Sequence, residues 1–214
     1  MYKPLSSLCL AGLIAGCSST TPDNRLEVRN VRAITEYQLA NNNFVGCNSV
    51  EGASGPAATQ TQVRVTVEAR GALSALEVRL EGETNGVRDE NFSIKVDSTN
   101  TDNFRAYGNN TYAVVFTADS STSGGMLPAS VPPVGIQAIT PTPVVRNIKR
   151  VTVEPANQVN GNGRFTARVH GYSDQGSRTL TEAISTINIP VYSVCTLVGP
   201  NPDTGVNLLD YPAS

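Results

Sequence analysis

The chain has 214 residues, a formal net charge of −2, 39% hydrophobic and 16% charged residues, 18 Gly, 13 Pro and no Trp. That length suits one large or two small domains and can bury a core without several covalent staples. The near-neutral balance without a basic block argues against nucleic acid as a partner, and the Thr-, Ser- and Asn-rich, turn-rich composition is that of secreted β proteins.

Lys3 precedes an apolar run, Leu5 to Cys17, reading LSSLCLAGLIAGC. Charged start, short apolar middle and small-residue end form the secretory leader pattern, and the run is too short for the ~20 residues of a membrane-spanning helix. An ordinary cleavage site asks for small residues at both A-x-A positions, and Leu13 stands at the first of them. Ile14-Ala15-Gly16-Cys17 resembles the lipobox of bacterial lipoproteins. The resemblance implies removal of residues 1–16, a diacylglycerol on the Cys17 thiol and often an acylated amine. Two or more chains anchor firmly where one does not. Ser18, in place of an aspartate, resembles the outer-membrane class of a Gram-negative-type envelope. Residues 17–24 then read as a lipidated N-terminus and short polar tether.

On that reading Cys9 leaves with the leader and Cys17 carries lipid. Cys47 and Cys195 remain, and in an oxidising compartment they are most simply a disulfide. A redox or metal pair is the alternative, but there is no CxxC and His170 is the single histidine.

From Arg25 the chain alternates. Leu26 and Val28 begin the pattern, and Ala33 to Asn43 reads as a strand or one helical turn. Cys47 follows, then a Gly/Ser/Ala/Pro loop from Glu51 to Thr59. Val63/Val65/Val67, Leu76/Val78/Leu80, Phe92/Ile94/Val96 and Tyr112/Val114/Phe116 each present one apolar face, with Arg64, Thr66 and their counterparts turned to water. Val115 makes the last of these apolar on both faces. Gly71, Gly82, Asn85-Gly86 and Gly108-Asn109-Asn110 supply the turns.

The pattern dissolves at 119–145, where five prolines bar a central strand. It resumes at Val151/Val153, Phe165/Ala167/Val169 and Ile187/Ile189/Val191, with Cys195 continuing the inward phase through 193. Residues 199–214, with three prolines, read as a tail that wraps the surface or frays. No stretch carries a helical apolar period. The expected fold is all-β, an antiparallel two-sheet β-sandwich of about ten strands, in one domain over 25–198. VTVEPANQVNGNGRFTARVHGYSDQG (151–176) resembles the strand pairs of bacterial immunoglobulin-like modules through Val151, Val153, Pro155, Gly163 and Phe165-Thr166-Ala167.

The chemistry-bearing residues are sparse. Asp97, Asn100 and Asp102 crowd oxygen ligands into one loop that suits calcium, but without an EF-hand's glycine and terminal glutamate it reads more simply as a solvated turn. His170 lies outward beside Arg168, without partners for a triad or a zinc site. Asp89-Glu90 reads as a pair of loop acids, and GxSxG, HExxH and a phosphate loop are all missing. Tyr107, Tyr112, Tyr172 and Tyr192 are expected in or at the rim of the core, and an unpaired sheet edge is the expected place for a partner. The sequence thus points to a non-enzymatic lipoprotein, without cofactor or metal, that binds or braces another envelope protein. A glycan- or peptidoglycan-binding lipoprotein is the alternative, and a hydrolase the third reading.

Overall fold

A computed structural model describes residues 25–52, 55–118, 127, 139–142 and 144–212. The leader, Cys17, the tether and most of the proline-rich stretch lie outside those residues. Fifteen strands run through the described part: β1 (Glu27–Thr35), β2 (Tyr37–Gln38), β3 (Phe44–Gly52), β4 (Gly55–Ala58), β5 (Thr61–Arg70), β6 (Ala75–Thr84), β7 (Val87–Asp97), β8 (Phe104–Gly108), β9 (Thr111–Ala118), β10 (Ile139–Pro141), β11 (Asn147–Thr152), β12 (Arg164–Tyr172), β13 (Ala183–Ile184), β14 (Ile189–Leu197) and β15 (Asp203–Asn207). Three short 3-10 turns accompany them, the last at Leu208–Asp210.

The strands divide into a five-stranded sheet, β1-β5-β9-β10 with β8 beside β9, and a ten-stranded one, β15-β11-β2-β3-β14-β12-β6-β7, with β4 beside β3 and β13 beside β12. The two face each other across one apolar core. Val63, Val65 and Val67 of β5 and Val114 and Phe116 of β9 pack with Leu76, Val78 and Leu80 of β6 and Phe165, Ala167 and Val169 of β12. These are the alternating positions of the sequence, so period two has placed each set on the buried face. The Asn85-Gly86 hairpin also forms as read, with positive φ at both residues (51° and 79°).

Glu36 is where the chain changes sheet. β1 belongs to the five-stranded sheet, β2 to the other, and this single residue separates them. The main chain of Glu36 bonds both ways, its N–H donating to Gln62 O (3.1 Å) and its carbonyl accepting from Lys149 N–H (2.7 Å). Its buried carboxylate accepts from Gln62 N–H (2.7 Å) and lies 2.8 Å from Arg146 Nη2. Gln62 in turn receives Arg146 N–H (2.8 Å) and donates to Val144 O (2.7 Å). A polar knot of this kind fixes the corner geometrically where an apolar contact would slide.

Beyond the corner, β2, β3, β14 and β11 pair in a ring that closes through β11–β14. This small barrel has its own core of Tyr37, Val45, Cys47, Val151 and Cys195. Cys47 and Cys195 are disulfide-bonded, Cα–Cα 5.8 Å, and both are fully buried. The strands that follow the proline-rich stretch therefore interleave with those that precede it: β14 lies between β3 and β12, and β12 between β14 and β6.

Several sequence expectations need correction. The described residues hold fifteen strands, not about ten, because pieces of two to five residues lack enough alternation to register as strands. The sheets are not wholly antiparallel: β3–β14 and β2–β11 are parallel, since partners far apart in sequence have no hairpin to fix their direction. Glu51 to Thr59 is largely the β3–β4 hairpin rather than a loop, and Asp89-Glu90 lie within β7. Pro141 does sit in a strand, β10, at the edge of its sheet where a missing N–H is tolerated. The inward phase of the last strand is broken: Ile187 and Ser193 are exposed while Ile189, Val191 and Cys195 are buried, because β14 passes from the main core into the barrel.

Of the two courses expected for the tail, its described part wraps the surface. Residues 203–210 form β15 and a 3-10 turn, and Leu208 and Leu209 bury against Ile34, Ala113 and Val115 on the outer face of the five-stranded sheet and against Ile148 of β11. That cover explains why Val115 is apolar and why Arg64, expected in water, is only 1% exposed.

Candidate binding site

The outward face of β6, β7 and β12 carries the densest charge in the described residues. Antiparallel register sets Arg79 between Arg168 and Ser93, and Glu77 between His170 and Lys95. Two arginines directly opposite one another on neighbouring strands repel. The acid that resolves this comes from outside the sheet: Glu182, on the connection between β12 and β14. Arg79 Nη2 lies 3.2 Å from both carboxylate oxygens of Glu182, and Arg168 Nη1 donates to Oε2 at 3.1 Å. Arg168 is held from its other side by Glu81, through Nη2 to Oε1 (2.9 Å) with Nε 2.8 Å from Oε2. Glu81 first, then Glu182, keep this guanidinium above its usual proton affinity.

A second knot sits at the rim. Tyr172 donates its hydroxyl to Glu77 (2.7 Å), which raises the phenol above its ordinary range, and Arg178 Nε lies 3.4 Å from the same carboxylate. Lys95 Nζ lies 4.2 Å over the Tyr172 ring. Together Glu77, Arg79, Ser93, Arg168, His170, Arg178 and Glu182 wall a groove of about 340 Å³.

The connection over this face is ordered by polar contacts that point inward. Thr179 accepts Gly171 N–H through its hydroxyl, and its own N–H returns to Gly171 O (2.9 Å). Ser185 exchanges two bonds with the Ala167 backbone, and Thr186 N–H reaches Val31 O. Thr179 and Ser185 are buried and Glu182 is half-buried. The large aliphatic residues of the same connection turn outward: Leu180 is 88% exposed, Ile184 47% and Ile187 52%. This inverts the usual pattern of an amphipathic segment.

His170 lies on the outward phase of β12, as its strand pattern predicts, but not in water. The connection covers it, leaving its side chain 13% exposed. Nδ1 lies 3.2 Å from both the carbonyl and the hydroxyl of Thr179, and Nε2 stands 3.8 Å from Glu182 Oε1. Both ring nitrogens thus face groups of the connection, and the Thr179 hydroxyl beside Nδ1 is itself buried and accepts Gly171 N–H.

The calcium candidates span the end of β7 (Asp97) and the turn that leads to β8 (Asn100 and Asp102). Asp97 and Asp102 are exposed, while Asn100 donates to Asn103 Oδ1 (3.2 Å) and its carbonyl accepts from the Asn103 and Phe104 amides. Asn103 is the buried member and donates to Thr142 O (2.8 Å). Among the described residues no group of three His, Cys, Asp or Glu is placed to hold a metal ion. Tyr112 packs on Phe104 at the rim, and the Arg64 guanidinium lies 5.2 Å from the Tyr107 ring centroid.

The part of the site that sequence reading missed is the partnership of Glu77, Arg79, Arg178 and Glu182 with Arg168 and His170. Pairing β6 with β12 in register would have exposed the Arg79–Arg168 conflict and the need for an acid. Nothing local marks Glu182 as that acid. No protein-family model matches the chain, and comparison with curated proteins finds no match.

Proposed function

We propose that the protein is a lipid-anchored envelope protein that docks another envelope protein through the connection between β12 and β14. The observation that carries this reading is the inverted polarity of that connection. Exposing Leu180, Ile184 and Ile187 while burying Thr179 and Ser185 forgoes roughly 1.5–3 kcal/mol per large aliphatic side chain. Exposed apolar residues bordered by arginine and tyrosine have the chemistry of a protein-binding patch, whose anchors are aliphatic or aromatic and whose rim is charged. The Glu182 network serves as the support: it holds the connection to a rigid sheet so that the patch is presented preformed. In this reading the packed sheets are an immunoglobulin-like scaffold, the small barrel is an addition to it, and Cys17 carries the anchor suggested by the lipobox resemblance.

The test uses the full chain expressed in a bacterial envelope and cross-linked there. Leu180→Asp and Ile184→Asp should abolish recovery of the partner while leaving the melting temperature within a degree or two. Val144→Asp, at a distant exposed site, should leave recovery intact. Equal recovery from all variants would refute the docking face. The groove itself favours the second reading, a glycan ligand, since charged donors and acceptors converge on about 340 Å³ beside Tyr172. Retention on purified peptidoglycan that is lost on Arg178→Ala but not on Leu180→Asp would favour that ligand instead. For the anchor, mass spectrometry of the membrane fraction should find an acylated peptide beginning at Cys17, and Cys17→Ala should leave the leader uncut or release the protein. An unmodified mature N-terminus elsewhere would overturn it.

A further inference from the structure

The groove beside Tyr172 offers more hydrogen-bond donors than the protein itself uses. Its floor is two register rows across the sheet, Arg168–Arg79–Ser93 and His170–Glu77–Lys95. The connection, which runs along β12, adds Arg178 and Glu182 as one wall, and the exposed Ser93 and Lys95 of β7 form the other side. Part of this set is fully engaged within the chain. Both oxygens of Glu182 receive Arg79, Arg168 is divided between Glu81 and Glu182, and His170 turns its ring nitrogens to the connection.

The remainder is open and faces solvent. Arg178, about half exposed, meets Glu77 through Nε, and its two terminal nitrogens make no hydrogen bond among the described residues. Lys95 stands directly opposite Glu77 in register, yet its ammonium lies over the Tyr172 ring and pairs with no carboxylate there. The Ser93 hydroxyl has no partner among the described residues either. Both contacts to Glu77, from the Tyr172 hydroxyl and from Arg178, fall on Oε2, and Oε1 takes none. The open positions are therefore two cations and a hydroxyl as donors, with one carboxylate oxygen as an acceptor between them.

That combination selects a ligand chemistry. A neutral sugar would satisfy the hydroxyl and the carboxylate oxygen and leave both cations unmatched. A bare oxyanion would match the cations and meet Glu77 with like charge. A ring that carries hydroxyls and one carboxylate matches all four positions. The volume of about 340 Å³ is at the small end of ligand sites, the room of a sugar ring with its substituents.

We infer that the groove binds an acidic sugar, a pyranose bearing a carboxylate. The terminal nitrogens of Arg178 receive the two carboxylate oxygens side by side, and the Lys95 ammonium adds charge without a directional demand. Ser93 and Glu77 Oε1 take the ring hydroxyls. The inference narrows the glycan reading of this groove and rests on it, and it makes no use of the Leu180 patch.

The probes are glucuronate and glucose, which share a ring and differ in whether its exocyclic carbon is a carboxylate or a hydroxymethyl group. Each is titrated against the full chain at matched ionic strength, with the Ser93, Lys95 and Arg178 amides read by ¹⁵N NMR. Glucuronate should shift these amides saturably, with a dissociation constant at least about tenfold below that of glucose. Arg178→Gln and Lys95→Gln should each weaken glucuronate about tenfold and leave the glucose response and the melting temperature unchanged, since both side chains are exposed. Arg29→Gln, in an exposed pair on the other sheet, should change nothing. Equal saturation by glucose overturns the carboxylate assignment and leaves the glycan reading standing. Equal saturation by acetate overturns the sugar, and tighter binding of glutamate overturns it in favour of an amino acid or peptide. Shifts that never saturate, or that Arg178→Gln and Lys95→Gln leave unchanged, overturn the site, while retention on purified peptidoglycan decides the glycan reading separately.

Discussion

Breaking the Cys47–Cys195 bond should cost this protein a large share of its stability, and it should do so through the unfolded chain. The cysteines are 148 residues apart. For a closed loop of that length the chain-entropy relation gives about 5 kcal/mol at 25 °C, an upper figure because denatured chains are already partly compact. Since domains are stable by ~5–15 kcal/mol in all, the reduced protein should be between marginal and about two-thirds as stable. At roughly 2–4 °C per kcal/mol for a chain of this size, the melting temperature should fall by about 10–20 °C. The assay is urea denaturation of the full chain, oxidised, reduced, and as Cys47→Ala/Cys195→Ala. Reduction leaves both sulfurs in the barrel core, so the oxidised–reduced difference isolates the cross-link. The alanine variant adds the loss of two buried sulfurs, about 1 kcal/mol each.

Two further readouts locate the effect. A cross-linked denatured state exposes less surface, so reduction should raise the urea m-value. An effect carried by the unfolded chain should slow folding and leave unfolding nearly unchanged, unless the bond forms after the transition state. A stability change under about 1 kcal/mol with an unaltered m-value would refute the entropic reasoning. So would a loss seen only as faster unfolding together with an unchanged m-value, which would mean that the bond acts by holding the β2-β3-β14-β11 ring together in the native state.

Gly171→Ala should destabilise by about 1–3 kcal/mol, since its new Cβ would lie 2.7 Å from Val28 Cγ2 and 3.0 Å from both Leu26 Cδ2 and Leu73 Cδ1, so three side chains must shift at once. Equal melting temperatures would show that the β1–β12 contact is looser than drawn. Glu36 gives a pH dependence: burial pushes its carboxyl up, against the opposing pull of Arg146, the Gln62 amide and Lys149. The folded state then holds the proton more tightly than the unfolded one, so the contribution of Glu36 is greatest below the ordinary carboxylate pKa and declines as pH rises through the folded value. The stability of the wild type relative to Glu36→Gln should therefore fall on going from about pH 4 to pH 7. A relative rise would mean that Arg146 outweighs burial.

What the sequence told and what it withheld follow one physical division. Alternation at 63–67, 76–80 and 165–169 was legible because a sheet face imposes period two on every residue it buries. The inward phase of Cys195 was legible for the same reason, and with it the disulfide. Alternation also assigned Arg64, Arg79, Arg168 and His170 to the opposite face, and that assignment was right. The further step, from opposite face to water, was wrong, because two aperiodic segments cover those faces. One is the 173–188 connection and the other the 208–211 turn, and neither carries a period to read. Leu208-Leu209, adjacent apolar residues in a proline-punctuated tail, was the one local hint of a docked segment. A stronger signal was charge that the sheet could not balance by itself: Arg79 directly opposite Arg168, and Arg64 near Arg32 with no acid in register on β1 or β9. Like charges set together on a sheet are unstable unless something else arrives. At Arg79 and Arg168 that something is Glu182, from the same chain. At Arg64 it is the Leu208 and Tyr211 carbonyls of the tail, with the Tyr107 ring of β8 5.2 Å from the guanidinium, so there too a segment without a period covers the face that alternation had turned to water.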